Sequence, residues 1–350
     1  MIKRNHLGSG FALAVTMGLL MGAIGCGSAK SRVVLYCAQD QEFADQVLGE
    51  FTQRTGLSVD PKFDTEADKS VSLYVELVNE KSRPRCDVHW NNEILSTIRL
   101  QKQGLLEPYR SPSAEPYPAS AKASDGTWHA FAARARILIV NTNLVKEPDR
   151  PHSLFDLTQA SWKGRIGMAK PQFGTSATQA ACLFEVLGSE QAKKFYRDLR
   201  ENGVIIVPGN KQVAEGVGQG QFAAGITDTD DAIAEVEAGR PVTIIFPDGG
   251  RAAGDRMGTL FIPNTLAIIR GCPNPDGARK LIDYLLRPEV EVKLAETASH
   301  QIPLNPQAHA HLPKDIKTPQ MVKSMDVDFE KAAGLWDEVQ DFLRNEFARP

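Results

Sequence analysis

The sequence predicts an α/β protein built as two lobes that are joined by two crossing segments. Apolar runs of strand length alternate with segments of helical spacing from residue 32 onward, and a second such series begins near residue 164. Two long apolar runs, Ala130–Asn141 and Gly258–Arg270, bracket that second series. The chain has 350 residues and is 42% hydrophobic, which excludes a disordered chain and provides material for two cores.

The N-terminal segment has the pattern of an export signal. Met1–His6 is basic and Leu7–Ile24 is apolar and rich in small residues, too short and glycine-rich for a spanning helix. Gly25-Cys26 and a flexible stretch follow, so we predict a signal peptide over 1–25, lipidation at Cys26 and a lipid-anchored tether over 26–31. An ordinary secretory peptide is the alternative. The prediction is an exported, periplasmic, membrane-anchored lipoprotein.

The net charge and the cysteine spacing argue against nucleic-acid partners and cysteine-bound metals. The formal net charge is −3, and a mildly acidic chain has no general electrostatic reason to bind nucleic acid. The cysteines beyond Cys26 show no CxxC or Cys/His metal spacing. We therefore expect free, buried thiols at Cys37, Cys86, Cys182 and Cys272.

The first lobe begins with a strand–helix–strand–helix–strand series. The series comprises Arg32–Cys37, Gln41–Thr55 (ended by Gly56), Leu57–Phe63, Asp68–Ser82 and Cys86–Trp90. This order predicts a parallel sheet, and ligands of such sheets lie at the carboxyl ends of the strands. The loops Cys37–Gln41 and Trp90–Glu93 are therefore predicted to face a cleft.

The second series builds the other lobe. Leu106–Trp128 is rich in proline and serine and is predicted to be irregular. Strands at 164–169, 204–208, 223–228 and 243–246 then alternate with helices at 176–187, 189–202, 211–219 and 230–238, and helices are also predicted at 276–286 and in the tail from Lys317. We place lobe I at 32–135 and 262–350 and lobe II at 136–261, with crossings near 134–140 and 258–266 acting as a hinge.

An acidic turn follows the strand that ends near residue 228. Asp228, Asp230 and Asp231 fall within four residues. One interpretation is helix capping, since Asp at the N-cap and first turn stabilises a helix. The other is a cationic pole that binds a metal ion or an ammonium group.

A second polar turn precedes an apolar helix at Phe173–Ala177. Exposed N–H groups at a helix start, with hydroxyls beside them, form an anion site, although a simple Thr or Ser cap is the alternative. Arg134 on the first crossing is a candidate for a bidentate grip on an oxyanion or for a salt bridge. An acidic pole and an anion pole together fit either a metal ion with a bridging anion or a zwitterion.

Several segments in order resemble the family 1 bacterial extracellular solute-binding proteins, in particular the iron(III)-binding branch of ABC transporters. They are Val33–Asp40, Cys86–Glu93, Ala133–Ile137, Phe173–Thr178, Gly225–Asp230 and Ile302–Pro306. The resemblance implies a type II periplasmic-binding-protein fold that closes on a solute, a monomer that works with permease and ATPase subunits, and no catalysis. It implies no cofactor other than iron(III) with a synergistic anion, bound as the ligand.

The resemblance and the residue patterns together give a set of candidate ligand-binding residues. The set is Tyr36, Asp40, Asn92, Glu93, Arg134, Thr175, Ser176, Ala177, Asn210, Thr227, Asp228 and Asp230, with Asp40, Glu93, Asp228 and Asp230 as metal ligands. Iron binders of this branch carry two consecutive tyrosines, whereas this chain has Thr229 and Asp230 there. A metal would therefore bind through carboxylate oxygens.

Ferric iron with an anion is the favoured solute at this stage. A zwitterion such as 2-aminoethylphosphonate, or another small cationic solute, is the alternative within the same class. A lipoprotein scaffold or sensor and a carboxylate-based hydrolase are the alternatives from other classes. The sequence lacks the HExxH, Walker A, GxGxxG and G-x-S-x-G patterns of common enzymes.

Overall fold

The computed structural model describes residues 32–64, 71–250, 257–298 and 300–347. The predicted signal peptide, Cys26 and the tether lie outside the described residues. Within these ranges, no helix is both long and apolar enough to cross a membrane.

Ten strands form one curled sheet in the described part of the chain, in the order β2-β1-β3-β10-β5-β8-β6-β7, with β4 beside β10 and β9 beside β5. Their bounds are β1 (Arg32–Cys37), β2 (Ser58–Phe63), β3 (Val88–Asn91), β4 (Leu106–Glu107), β5 (His129–Asn141), β6 (Ile166–Ala169), β7 (Ile205–Val207), β8 (Ala224–Asp228), β9 (Val242–Ile245) and β10 (Phe261–Ile269).

Eleven α-helices accompany these strands in the described ranges. They are α1 (Gln41–Thr55), α2 (Val71–Asn79), α3 (Leu95–Lys102), α4 (Gly174–Leu187), α5 (Ser189–Glu201), α6 (Asn210–Gly218), α7 (Thr229–Glu237), α8 (Pro275–Leu285), α9 (Pro288–Glu296), α10 (Phe329–Gly334) and α11 (Trp336–Phe342). Helix α1 has the predicted bounds, and Gly56 ends it with φ 71° while its N–H donates to the Thr52 carbonyl.

Strand β5 belongs to both lobes and explains how they are joined. Its first half pairs with β10, and its second half, from Arg136 onward, pairs with β8 and β9. Strands β1, β2 and β3 are parallel in one lobe, and β6, β7 and β8 are parallel in the other. All thirteen residues of β5 are buried, so the link is part of the core. The predicted α/β, two-lobed fold is confirmed.

The second crossing is shorter than the sequence predicts. Strand β10 pairs with the first half of β5 and with β3, so it lies within the first lobe from Phe261 onward. The chain enters it through Leu260, whose carbonyl accepts a hydrogen bond from the Arg136 N–H at 2.8 Å. An apolar run cannot reveal where a chain passes between lobes, because strands buried on both faces have the same pattern.

Helices α10 and α11 contact both lobes. Trp336 of α11 packs over the Arg99 guanidinium of α3, while Phe342 packs against Phe184 of α4 with ring centroids 5.7 Å apart. The sequence assigns this tail to lobe I, but its apolar stripe packs partly on lobe II. The exact lobe boundaries stay a prediction.

The four described cysteines are free thiols. Cys37, Cys86 and Cys182 are buried, as expected from their apolar sequence contexts, whereas Cys272 was also expected to be buried and is only half-buried.

Candidate functional site

A small polar cavity of about 30 Å³ lies between the lobes, where the carboxyl ends of several strands meet. This is space on the scale of one or two water molecules. The cavity is lined by Asp40, Asn92, Arg134, Ala169, Lys170, Phe173, Gly174, Thr175, Ser176, Pro208, Gly209, Asn210, Asp228, Asp230 and Asp231. The structure thus brings together eight of the twelve predicted ligand-binding residues.

Arg136 lies beneath this cavity and binds Asp228. The two residues face each other in the antiparallel pairing of β5 and β8, and the Arg136 Nη1 to Asp228 Oδ1 distance is 2.8 Å. Arg136 is 1% exposed, and a buried guanidinium requires such a partner. The sequence pattern assigned no role to Arg136, although an arginine inside a buried apolar run is itself a signal for a buried carboxylate.

The donors and acceptors around this pair come from two helix starts. Arg136 also donates to the side-chain oxygens of Gln179, Thr175, Asn210 and Ser176 at 3.0–3.3 Å. The other Asp228 oxygen accepts from the Thr175 hydroxyl at 2.5 Å and from the Asn210 amide at 3.0 Å. Of the hydroxyls predicted to bind an anion, that of Thr175 therefore donates to the protein's own carboxylate, and that of Ser176 donates to the Asn210 side-chain oxygen at 3.3 Å.

A second ion pair joins Arg134 to Asp230 at 3.1 Å. Arg134 also donates to the Gln39 side-chain oxygen at 2.6 Å, and Asp230 accepts from Gln301 at 3.2 Å. Burial alone would lower the pKa of the Arg134 guanidinium, but the carboxylates of Asp230, Asp228 and Asp40 together raise it. Of the two predictions for Arg134, the salt bridge is the one that the structure contains.

Three helices begin at the cavity: α4 at Gly174, α6 at Asn210 and α7 at Thr229. In each of these three helices the N-cap residue makes no side-chain capping bond. Asp228 is the N-cap residue of α7, but its side chain makes no capping bond, so simple capping does not explain that residue. The three helix dipoles give the cavity a positive potential that its carboxylates oppose.

The carboxylates of Asp228, Asp230 and Asp231 form a group whose closest oxygens lie within 4.8 Å of one another. Asp40 of the first lobe lines the same cavity. Three cationic side chains lie close to these four acids: Arg134, Arg136 and Lys170. Among the described lining residues none is a tyrosine or a histidine, so the oxygen ligands available here are carboxylates, hydroxyls and amides.

The structure places Glu93 and Tyr36 outside the cavity lining. Glu93 is buried, and its carboxylate accepts from the N–H groups of Leu95 and Ser96 at the start of α3 and from the Thr178 hydroxyl. The Tyr36 hydroxyl donates to Glu76 and Glu80, away from the cleft, and burial beside these acids raises its pKa. Both residues lie at or just after the end of a strand, but the sequence could not predict the direction in which their side chains point.

Two further predicted residues support the site from behind. Ala177 is fully buried in α4. Thr227 is buried on β8, and its hydroxyl donates to the Asn210 carbonyl at 3.0 Å. Neither residue lines the cavity, and the Thr227 bond holds the backbone of the lining residue Asn210.

The comparisons with known proteins identify the family. A family model described as bacterial extracellular solute-binding protein matches residues 97–332. The chain belongs to this family. It is a periplasmic solute-binding protein of the ABC-import type.

Named relatives and neighbours of this solute-binding protein differ in their cargo. The chain is 25% identical over 301 residues to the major ferric iron-binding protein of Neisseria meningitidis. The alignment covers 84% of this chain and 87% of the Neisseria protein. Iron-bound HitA from Pseudomonas aeruginosa superposes with a TM-score of 0.78 at 21% identity, covering 90% of this chain and 98% of HitA. AfuA from Actinobacillus pleuropneumoniae, with exogenous fructose-6-phosphate bound, gives 0.77 at 23%, covering 89% and 96%. At these sequence identities, the likeness to the solved structures shows only that this chain has the same fold.

Proposed function

We propose that this solute-binding protein captures a small organic zwitterion, which carries an ammonium group and an oxyanion, at the cavity between its lobes. The lobes must separate to admit it, because the cavity in this arrangement has space for only one or two water molecules. The observation that carries this proposal is that both buried aspartates, Asp228 and Asp230, already form ion pairs with buried arginines. The cavity is thus close to charge balance, and a ligand with balanced charges leaves it so.

The charge count supports a zwitterion over a trivalent cation. Four carboxylates and three cationic side chains surround the cavity, and the helix starts of α4, α6 and α7 add partial positive charge. A trivalent ion would lie close to the Arg134 and Arg136 guanidinium groups without enough negative charge to offset it. An oxyanion at the helix starts and an ammonium group beside Asp231 and Asp40 would each have partners of opposite charge.

Ferric iron with a bound anion is the second candidate. The group formed by Asp228, Asp230 and Asp231 favours it, because a hard cation binds carboxylate oxygens. The relative from Neisseria meningitidis is named for ferric iron. The fold itself does not decide between the two, since sites and not folds determine ligands.

Calorimetry separates the two candidates. The probes are 2-aminoethylphosphonate for the zwitterion and iron(III) nitrilotriacetate for the metal, with metal analysis of protein purified natively. We expect saturable, stoichiometric binding of the phosphonate that Asp231→Asn weakens at least about tenfold. The control Asp276→Asn removes an exposed carboxylate far from the cleft. Tight binding of iron alone would overturn the zwitterion proposal, and turnover of the probe would indicate an enzyme.

We further propose that the protein is anchored through Cys26, delivers its solute to permease and ATPase subunits as a monomer, and closes by a hinge at the crossings. Expressed in its native host, Cys26→Ser is expected to leave the membrane fraction or to retain its signal peptide. A chain that never incorporates labelled palmitate contradicts the anchor.

Small-angle scattering tests the closure of the lobes. The radius of gyration is expected to be smaller with saturating solute, and an unchanged radius argues against closure.

A further inference from the structure

A second, much larger groove adjoins the cavity between the lobes. Its volume is about 810 Å³, which lies within the usual range for organic ligands. The first lobe contributes Tyr74 and Arg99, the second contributes Phe173 and Ile206, and the tail contributes Trp336. Lys170 and Phe173 line both this groove and the small cavity.

Arg99 is held in a fixed position in the groove wall. Its guanidinium lies 4.4 Å from the centroid of the Tyr74 ring and 4.7 Å from that of Trp336, so an aromatic ring packs on it from each of two helices. The hydroxyl of Tyr74 is in turn bonded by Gln103 at 2.6 Å. Among the described residues, no carboxylate forms a salt bridge with Arg99. Stacking fixes the plane of the guanidinium and leaves its N–H edge for an oxyanion.

The charges lining the groove favour an anionic occupant. Arg99, Lys170 and Arg344 line it, against the single acid Asp337. Arg344 is bonded to Asp341, which leaves Arg99 and Lys170 as the cationic groups that lack a carboxylate partner in the described part of the chain. The aromatic and aliphatic lining suits an apolar body.

We propose that this groove binds a small organic anion with an aromatic body, whose carboxylate or related oxyanion is held by Arg99 and Lys170. The site adjoins the cavity that contains Asp228 and Asp230 and shares Lys170 and Phe173 with it, but the argument for an aromatic anion does not depend on the solute proposed above. Because residues of both lobes and of the tail line the groove, its occupant contacts all three parts of the fold.

The test uses 2-naphthoate as the probe, with 2-naphthamide as the neutral analogue and acetate as the anion without a ring. Binding to the full mature chain is measured by calorimetry. We expect 2-naphthoate to bind at one site, the amide at least about tenfold more weakly, and acetate not at all. Arg99→Gln is expected to weaken 2-naphthoate at least about tenfold. Arg279→Gln, which removes an arginine stacked on Tyr109 elsewhere, is expected to leave its affinity unchanged.

Arg99→Lys and Lys170→Gln keep the test decisive if Arg99→Gln does not fold. Lysine keeps the charge but lacks the planar fork, so intermediate binding by Arg99→Lys supports the proposal, as does weaker binding by Lys170→Gln. Equal affinity for the acid and the amide overturns it, as does unchanged affinity in both folded variants or no binding at millimolar concentration. Dimerisation that displaces 2-naphthoate would assign the groove to a second copy of the chain and would also overturn it.

Discussion

The two arginine–aspartate pairs of the cleft differ sharply although the arginines are two residues apart on β5. Arg136 donates to five side-chain oxygens, all from the second lobe. Arg134 has two side-chain partners, Asp230 and Gln39, and its buried Nε has no hydrogen-bond partner among the described residues. The first pair is therefore saturated, and the second is incompletely bonded.

This difference separates a structural ion pair from one that is ready for a ligand. A saturated buried pair stabilises the local arrangement and is costly to break from one side. A buried donor without a partner carries a desolvation cost that a bound oxyanion can relieve. We therefore expect stability to depend mainly on Arg136 and solute affinity to depend mainly on Arg134.

The largest expected effect is on stability, from Arg136→Met. The substitution leaves the Asp228 carboxylate buried without its cation, and removing one partner of a buried pair costs about 3–5 kcal/mol. Urea denaturation measures the loss, with Arg279→Met as the control at an exposed arginine. The double variant Arg136→Met/Asp228→Asn is expected to recover part of it. A loss below about 1 kcal/mol would mean that the pair does not hold the second lobe together.

Arg134→Met is expected to act mainly on binding. It removes the guanidinium that lines the cavity, so the dissociation constant of the solute identified by calorimetry is expected to rise by about 10- to 100-fold. The loss of stability is expected to be smaller than for Arg136→Met, because Asp230 keeps its bond from Gln301. If both variants lost affinity and stability in the same proportion, the distinction between the pairs would be wrong.

Buried His89 in the first lobe makes the stability of the protein depend on pH. Burial lowers the pKa of His89 to about 3, whereas an unfolded histidine titrates near about 6.5. Below that pH only the unfolded chain gains this proton, so stability is lost as the pH falls from about 6.5 toward 3. The slope is up to about 1.4 kcal/mol per pH unit. His89→Leu is expected to flatten the pH profile of the unfolding free energy, and a profile as steep as that of the unsubstituted protein would contradict this role.

The smallest expected effect concerns a single bond near the cleft. Thr178 of α4 donates to the Glu93 carboxylate at 2.9 Å, and this bond joins elements of the two lobes. Thr178→Val is expected to cost about 1–2 kcal/mol in urea denaturation, because Glu93 keeps its two N–H donors. Thr52→Val, which removes a bond within one helix, is the control. An equal loss in both variants would mean that the bond between lobes adds nothing beyond a local one.

Local patterns were sufficient to predict most of the fold. The apolar spacing of Gln41–Thr55 and the glycine after it defined α1, and the long run at Ala130–Asn141 corresponds to β5. Helix α3 was missed because Glu93 supplies its capping bonds from before the helix. Helix α9 was not predicted either, although Pro288 at its start is a usual helix signal.

The candidate site was predictable in position but not in bonding. The carboxyl ends of β1, β3 and β8 could be read from strand order, which placed Asp40, Asn92 and Asp228 at the cleft. The ion pairs could not be predicted from the sequence. Arg136 lies opposite Asp228 because of the register between β5 and β8, and no local sequence pattern encodes that register.

The position of β10 between β3 and β5 has a consequence for how the chain matures. This strand follows the whole second lobe in the sequence, yet it completes the sheet of the first. A nascent chain that ends before residue 261 therefore has both neighbouring strand edges without their partner. Such long-range pairing slows folding. Because the strand that closes the first lobe is among the last to be synthesised, the first lobe can complete its sheet only after the second lobe has been made.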